Sequence, residues 1–116
     1  MITHRLQVDM CPGGSARQEL MLSQRDTDAM AAIEMFASEG ELTIENGTTA
    51  KITGTNSAGE EVEINATLDI ANFTVLFSIP SEMTEYAGTG TYEIVLTKNG
   101  KQLRSKNIKA VVERAA

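Results

Sequence analysis

Few of the 116 residues could carry chemistry, and they are scattered. The single histidine, His4, and the single cysteine, Cys11, supply the only imidazole and thiol. A zinc centre needs three or four such ligands, so this pair cannot build one, and a lone cysteine forms no internal disulfide. Cys11 precedes Pro12-Gly13, with no basic group or helix start in the sequence to favour a thiolate, and reads as an unreactive loop thiol. Asp26 and Asp28 resemble the start of a calcium loop but lack the later oxygen ligands, and an Asx turn accounts for them better. Glu60, Glu61 and Glu63 could suggest paired catalytic carboxylates. Acid–base work needs a cleft and one raised pKa, and a solvated strand face explains this spacing more simply. No catalytic, cofactor-binding or metal-binding residue is therefore assigned, and the chain is not read as an enzyme.

Charge is the more informative pattern. Residues 1–97 hold four Lys/Arg against fifteen Asp/Glu, whereas residues 98–116 hold six against one, within a net charge of −6. Lys101, Arg104, Lys106 and Lys109 are the candidate assembly contacts. Two readings stay open for them: cross-strand pairs with the chain's own carboxylates, or a docking edge for an acidic neighbour such as another copy. An acidic body with 4% aromatic residues argues against nucleic acid as a partner. No apolar run is long enough to span a membrane, and MITHRLQVDMCPGG lacks the apolar core of a signal peptide, so a soluble protein made inside the cell is expected.

The elements that must position these groups alternate with a period of two. HRLQVDM (4–10) places Leu6, Val8 and Met10 on one side. Cys11-Pro12-Gly13-Gly14 breaks it, and ARQELMLS (16–23) follows with Leu20 and Leu22 inward before the Gln24–Asp28 turn. Residues 30–37 carry helix-favouring Ala, Met and Glu, yet the segment is too short for an isolated helix and is read as a strand. ELTIE (41–45) reads as a short edge segment, and TTAKITGT (48–55) turns Ala50 and Ile52 inward after Asn46-Gly47.

The strongest alternation lies in EEVEINATL, where Val62, Ile64, Ala66 and Leu68 share a face. FTVLFSI is expected to bring Phe73, Val75, Phe77 and Ile79 to the core. A helical turn near 81–87, with Ser81 able to cap it, leads into two strands about the hairpin Lys98-Asn99-Gly100-Lys101. Met21, Met30, Met35 and Met83 read as core filling in preference to an adaptable interface.

Seven to nine short strands with one helical turn imply an all-β chain, an immunoglobulin-like antiparallel β-sandwich forming one domain over 1–116. That architecture hosts unrelated roles, so it carries no function by itself.

The order of signals does more. QRDTDAM closing a strand, GELTIENGTTAKITGTNSAG, FTVLFSIPSEMTEYAGTGTYEIVLTKNGKQL and the final SKNIKAVVER together resemble the N-terminal β-sandwich domain of phage upper-baseplate (BppU-like) proteins and related modules at the bases of tail and head fibres. The resemblance covers about residues 2–114, and PSEMTEYAGTGTYEIVLTKNG is its most specific piece. It implies a non-enzymatic virion structural protein, made in the host cytoplasm, that docks on other virion proteins and assembles as a homo-oligomer. The family's longer C-terminal shaft does not follow Ala115-Ala116, so an anchor or a capsid or tail decoration is expected in place of a receptor-binding tip. The competing expectation is a carbohydrate- or cell-surface-binding sandwich, weakened by the lack of Trp and by having only Tyr86 and Tyr92 to stack on a sugar.

Overall fold

The structure, a computed structural model, describes residues 1–105 and 107–115. Nine strands dominate it: β1 (Ile2–Asp9), β2 (Leu20–Ser23), β3 (Ala29–Phe36), β4 (Thr49–Thr55), β5 (Glu61–Asp69), β6 (Thr74–Ser78), β7 (Gly88–Lys98), β8 (Lys101–Arg104) and β9 (Ile108–Glu113). One short helix, α1 (Ser81–Thr84), joins β6 to β7. The fold is all-β and sandwich-like, as the turn spacing predicts, and it is nearly closed into a barrel.

Two layers can be followed through the pairing. One holds β1, β3 and β6; the other runs β5-β4-β7-β9-β2, with β8 lying beside the far half of β7. Two segments pass between the layers and nearly close them. β5 pairs with β4 up to Ala66 and with β6 from Thr67 onward. The stretch 15–23 does the same at the opposite side. Arg17 N–H donates to the Gln7 carbonyl at 2.9 Å, and Asp9 N–H donates to Ser15 at 3.1 Å, before β2 pairs with β9.

Two pairs depart from an antiparallel plan, and this crossing explains the first of them. β1 and β3 are parallel in register Leu6↔Ile33, and β2 and β9 are parallel in register Leu22↔Val112. Because the chain visits the second layer between β1 and β3, it returns to the first layer running in its original direction.

Leu6, Val8, Leu20, Ile33, Ile52, Val75, Phe77 and Ile94 are buried between the layers, so most of the alternation marks the core face. Four local expectations change. Phe73 is 38% exposed at φ 50°, because the Asp69–Asn72 turn runs one residue further and releases β6 only at Thr74. Asp69 holds that turn by accepting from Asn72 N–H at 3.3 Å and from its amide Nδ2 at 2.7 Å. ELTIE forms no strand; Leu42 and Ile44 instead lean on the core from an irregular segment. Met35 and Met83 fill the core as expected, but Met21 points outward at 47% exposure between inward Leu20 and Leu22. Ser81 does not cap α1: Pro80, extended at φ −80°, occupies the cap position, and no side chain bonds the helix start.

α1 is tied down from elsewhere. Buried Asn56 donates its Nδ2 to the Glu82 carbonyl at 3.1 Å, while its Oδ1 accepts from Ala58 and Glu60 N–H, both at 3.0 Å. One side chain thus satisfies both the β4–β5 turn and the helical crossing, with every polar atom of its amide engaged.

Candidate assembly surface

The basic candidates lie on β8 and β9, which share one flank of β7. β7 pairs through Gly88–Tyr92 with β9 and through Val95–Lys98 with β8. Ser105 sits between them; its N–H donates to the Ile94 carbonyl at 3.0 Å, and its Oγ accepts from Ile94 N–H at 2.8 Å. The hydroxyl thereby replaces a missing strand partner where β8 ends.

A two-residue loop makes the β7–β8 hairpin. Asn99 and Gly100 both have positive φ, at 51° and 77°, which matches the twist of the flanking strands. Lys98 Nζ donates to the Asn46 carbonyl and fastens the hairpin tip to the 45–48 turn.

The four candidates do not form one patch. Arg104 pairs with Glu93 across the outer face of the sheet, so at this residue the pairing with the chain's own carboxylates holds. Val95 opposes Lys51 on one side and Arg104 on the other, and it is fully buried although it faces outward. The stems of those two long side chains cover it. Lys51 in turn pairs with Glu63 at 3.2 Å. Lys101 lies on the core side of β8, and Lys109 is exposed on β9 opposite Thr91; neither makes an ion pair among the described residues. Lys106 lies outside the described residues.

What the charge pattern missed is an apolar slot beside this strand. Leu103 is 39% exposed and faces the same side as buried Leu96. With Ile44, Thr48 and Lys101 it lines an open groove of about 320 Å³. The signal available in the sequence was a lone leucine inside the otherwise polar KQLR strand.

The other singled-out residues take structural places. His4 is half-buried on β1 opposite Ala31, and Cys11 Sγ donates to the Glu39 carbonyl at 3.2 Å. Asp26 accepts from Asp28 N–H at 3.0 Å, an Asx turn. Glu60 accepts from Asn56 Nδ2 at 3.0 Å, while Glu61 and Glu63 are exposed on β5. Among the described residues no three His, Cys, Asp or Glu side chains come together. Among the described residues no helix is long and apolar enough to cross a membrane.

Three titrating groups among the described residues depart from their ordinary values, and one of them, Tyr86, is raised chiefly by the Glu60 carboxylate and then by Glu85. Asp9 is held down at about 2, chiefly by the Ser38 side chain and then by the Cys11 N–H. Its Oδ1 accepts from Cys11 N–H at 3.0 Å and Ser38 N–H at 3.2 Å, which ties the Pro-Gly-Gly loop to the end of β3. Tyr92 is pushed up to about 12 by burial.

The whole arrangement has a counterpart among solved structures. The N-terminal domain of phage TP901-1 ORF48 superposes with a TM-score of 0.75 over 97% of this chain and 99% of that chain, at 12% sequence identity. No family model and no curated protein matches the sequence. At that identity the likeness is one of fold: this chain folds as a domain of a phage protein does.

Proposed function

We propose that the protein is a phage virion structural module, a non-enzymatic adaptor or decoration that docks on the particle and assembles with copies of itself. The observation that carries this reading is end-to-end agreement of fold with a domain of a phage protein, joined to the upper-baseplate resemblance of the sequence itself. The baseplate, a tail fibre or a head fibre is its place in this reading, reached after synthesis in the host cytoplasm.

The surface suits such a role. A binding module for sugars needs aromatic platforms, and Tyr92 is buried, which leaves Tyr86 as the exposed tyrosine, with Phe73 exposed on a separate turn. An assembly module needs edges and opposite charges, and both are present around β5 and β8.

The test is composition of the particle. Virions purified by density gradient from a host carrying the gene should contain the chain at a fixed, repeating stoichiometry by quantitative mass spectrometry. Absence from washed particles overturns the assignment. Specific, saturable signal on a glycan array by the isolated chain would favour the carbohydrate-binding reading instead.

A further inference from the structure

Two free edges of the second layer, on β5 and on β8, are of opposite character. At one end, β5 pairs only with β4 over Glu61–Ala66, and its far side has no strand partner among the described residues. Beside the far half of β7, β8 pairs only with β7 among the described residues, and all four of its residues are exposed. We propose that β8 of one copy pairs with the Glu61–Ala66 edge of a second copy, extending the sheet from molecule to molecule.

Direction, face and hydrogen-bond parity all permit this. In the order β5-β4-β7-β8 every neighbour is antiparallel, so β5 and β7 run one way and β4 and β8 the other. A copy shifted along the sheet therefore presents its β5 antiparallel to β8, with core sides on the same side. The two-residue loop makes Lys98 and Lys101 a hydrogen-bonded pair. Ladder bonds to β7 then alternate, so Gln102 and Arg104 aim their main-chain groups outward. Counting from the Asn56 N–H bond to the Glu60 carbonyl, Glu61, Glu63 and Asn65 aim theirs away from β4.

Registers two residues apart all satisfy these conditions, and the one that also matches amide with amide puts Arg104 opposite Glu63, Leu103 opposite Ile64 and Gln102 opposite Asn65. Charge meets opposite charge on the outer face, and amide meets amide. On the core side Leu103, now 39% exposed, meets Ile64, which is only partly buried at its own open edge. Arg104 already pairs with Glu93, but its guanidinium has five donors and can serve a second carboxylate. Lys109, on β9, takes no part.

The contact is heterologous, so repetition gives rings or helical arrays and not a closed pair. A four-residue strand buries less than the roughly 1,200 Å² of a lasting complex. The association should therefore be weak in free solution and be strengthened where a particle holds copies side by side. It presupposes the assembling role proposed above.

Two chains, one with Gln102→Cys and one with Asn65→Cys, both carrying Cys11→Ser, are mixed at high concentration and oxidised. Mixed dimers should exceed the half that random collision gives. Statistical proportions, or a preference for like-with-like dimers, overturn the contact. A second measurement stands apart from this one. Gln102→Pro removes an outward N–H without touching the ladder to β7, so it should lower the concentration-dependent mass by sedimentation while leaving the melt unchanged. An unchanged mass speaks against the contact. The chain's presence in virions together with random cross-linking would overturn this edge contact alone; its absence from virions would overturn the assembling role itself.

Discussion

Gly54 lies directly beneath Tyr92, its register partner across β4 and β7. A Cβ at Gly54 would stand 2.7 Å from the Tyr92 Cα and 2.8 Å from its ring, and would press on the Thr91 carbonyl. Gly90 flanks the same ring, where a Cβ would come within 2.9 Å. Tyr92 is buried in a slot that two glycines keep open.

Gly54→Ala should therefore cost about 1 to 3 kcal/mol or more, since backbone atoms cannot move aside as a flexible side chain can. Urea unfolding measures it. A loss under about 1 kcal/mol would mean that the two strands separate more easily than their packing implies.

The Tyr92 hydroxyl is buried and finds no hydrogen-bond partner among the described residues. Tyr92→Phe should leave stability unchanged or raise it by about 1 kcal/mol, because an unpaired buried hydroxyl is a cost. Spectrophotometric titration should show one phenol ionising only near 12, the value burial imposes.

The phenylalanines of FTVLF separate cleanly. Phe77→Ala should cost about 3 to 5 kcal/mol, as expected for a buried aromatic. Phe73→Gly should change stability by less than about 1 kcal/mol, since lost contact of an exposed ring is offset by relief at φ 50°. Equal losses at both would place Phe73 in the core after all.

Asp9 makes stability depend on acid. Its folded pKa, about 2, lies below the ordinary value of 3.8, so its ionised form favours the folded state. That contribution is complete above about pH 4 and disappears as pH falls toward 2. Asp9→Ala should flatten the stability profile across this window, and carbon-13 NMR of the carboxyl should give the low midpoint directly.

Arg104 and Glu93 form an exposed pair, so a double-mutant cycle between them should give a coupling of about 0.2 to 1 kcal/mol. Arg104→Ala alone should cost more, because it also uncovers Val95. Lys101→Glu, which breaks no ion pair among the described residues, should leave the melt unchanged.

Alternation was the legible layer of this fold. Val62 and Ile52 were assigned to the core by period alone, and the short 30–37 run proved to be β3 (Ala29–Phe36) despite its helix formers. Pairing was not legible. Nothing local in Leu20-Met21-Leu22 says that it joins Val112 in parallel, because that choice depends on where the rest of the chain has already gone. Phe73 failed for a related reason: a turn lengthened by one residue reverses a face without altering the pattern that precedes it. At the surface, counting charges found Arg104 but not its partner Glu93, which lies one strand away in space and in a different hairpin position.

The parallel seam between β2 and β9 sets an order of events during synthesis. Leu20 emerges from the ribosome well before its partner Ala110, so β2 waits with an open edge while the strands between them are made. Until then the nascent sandwich is a clasp without its hook.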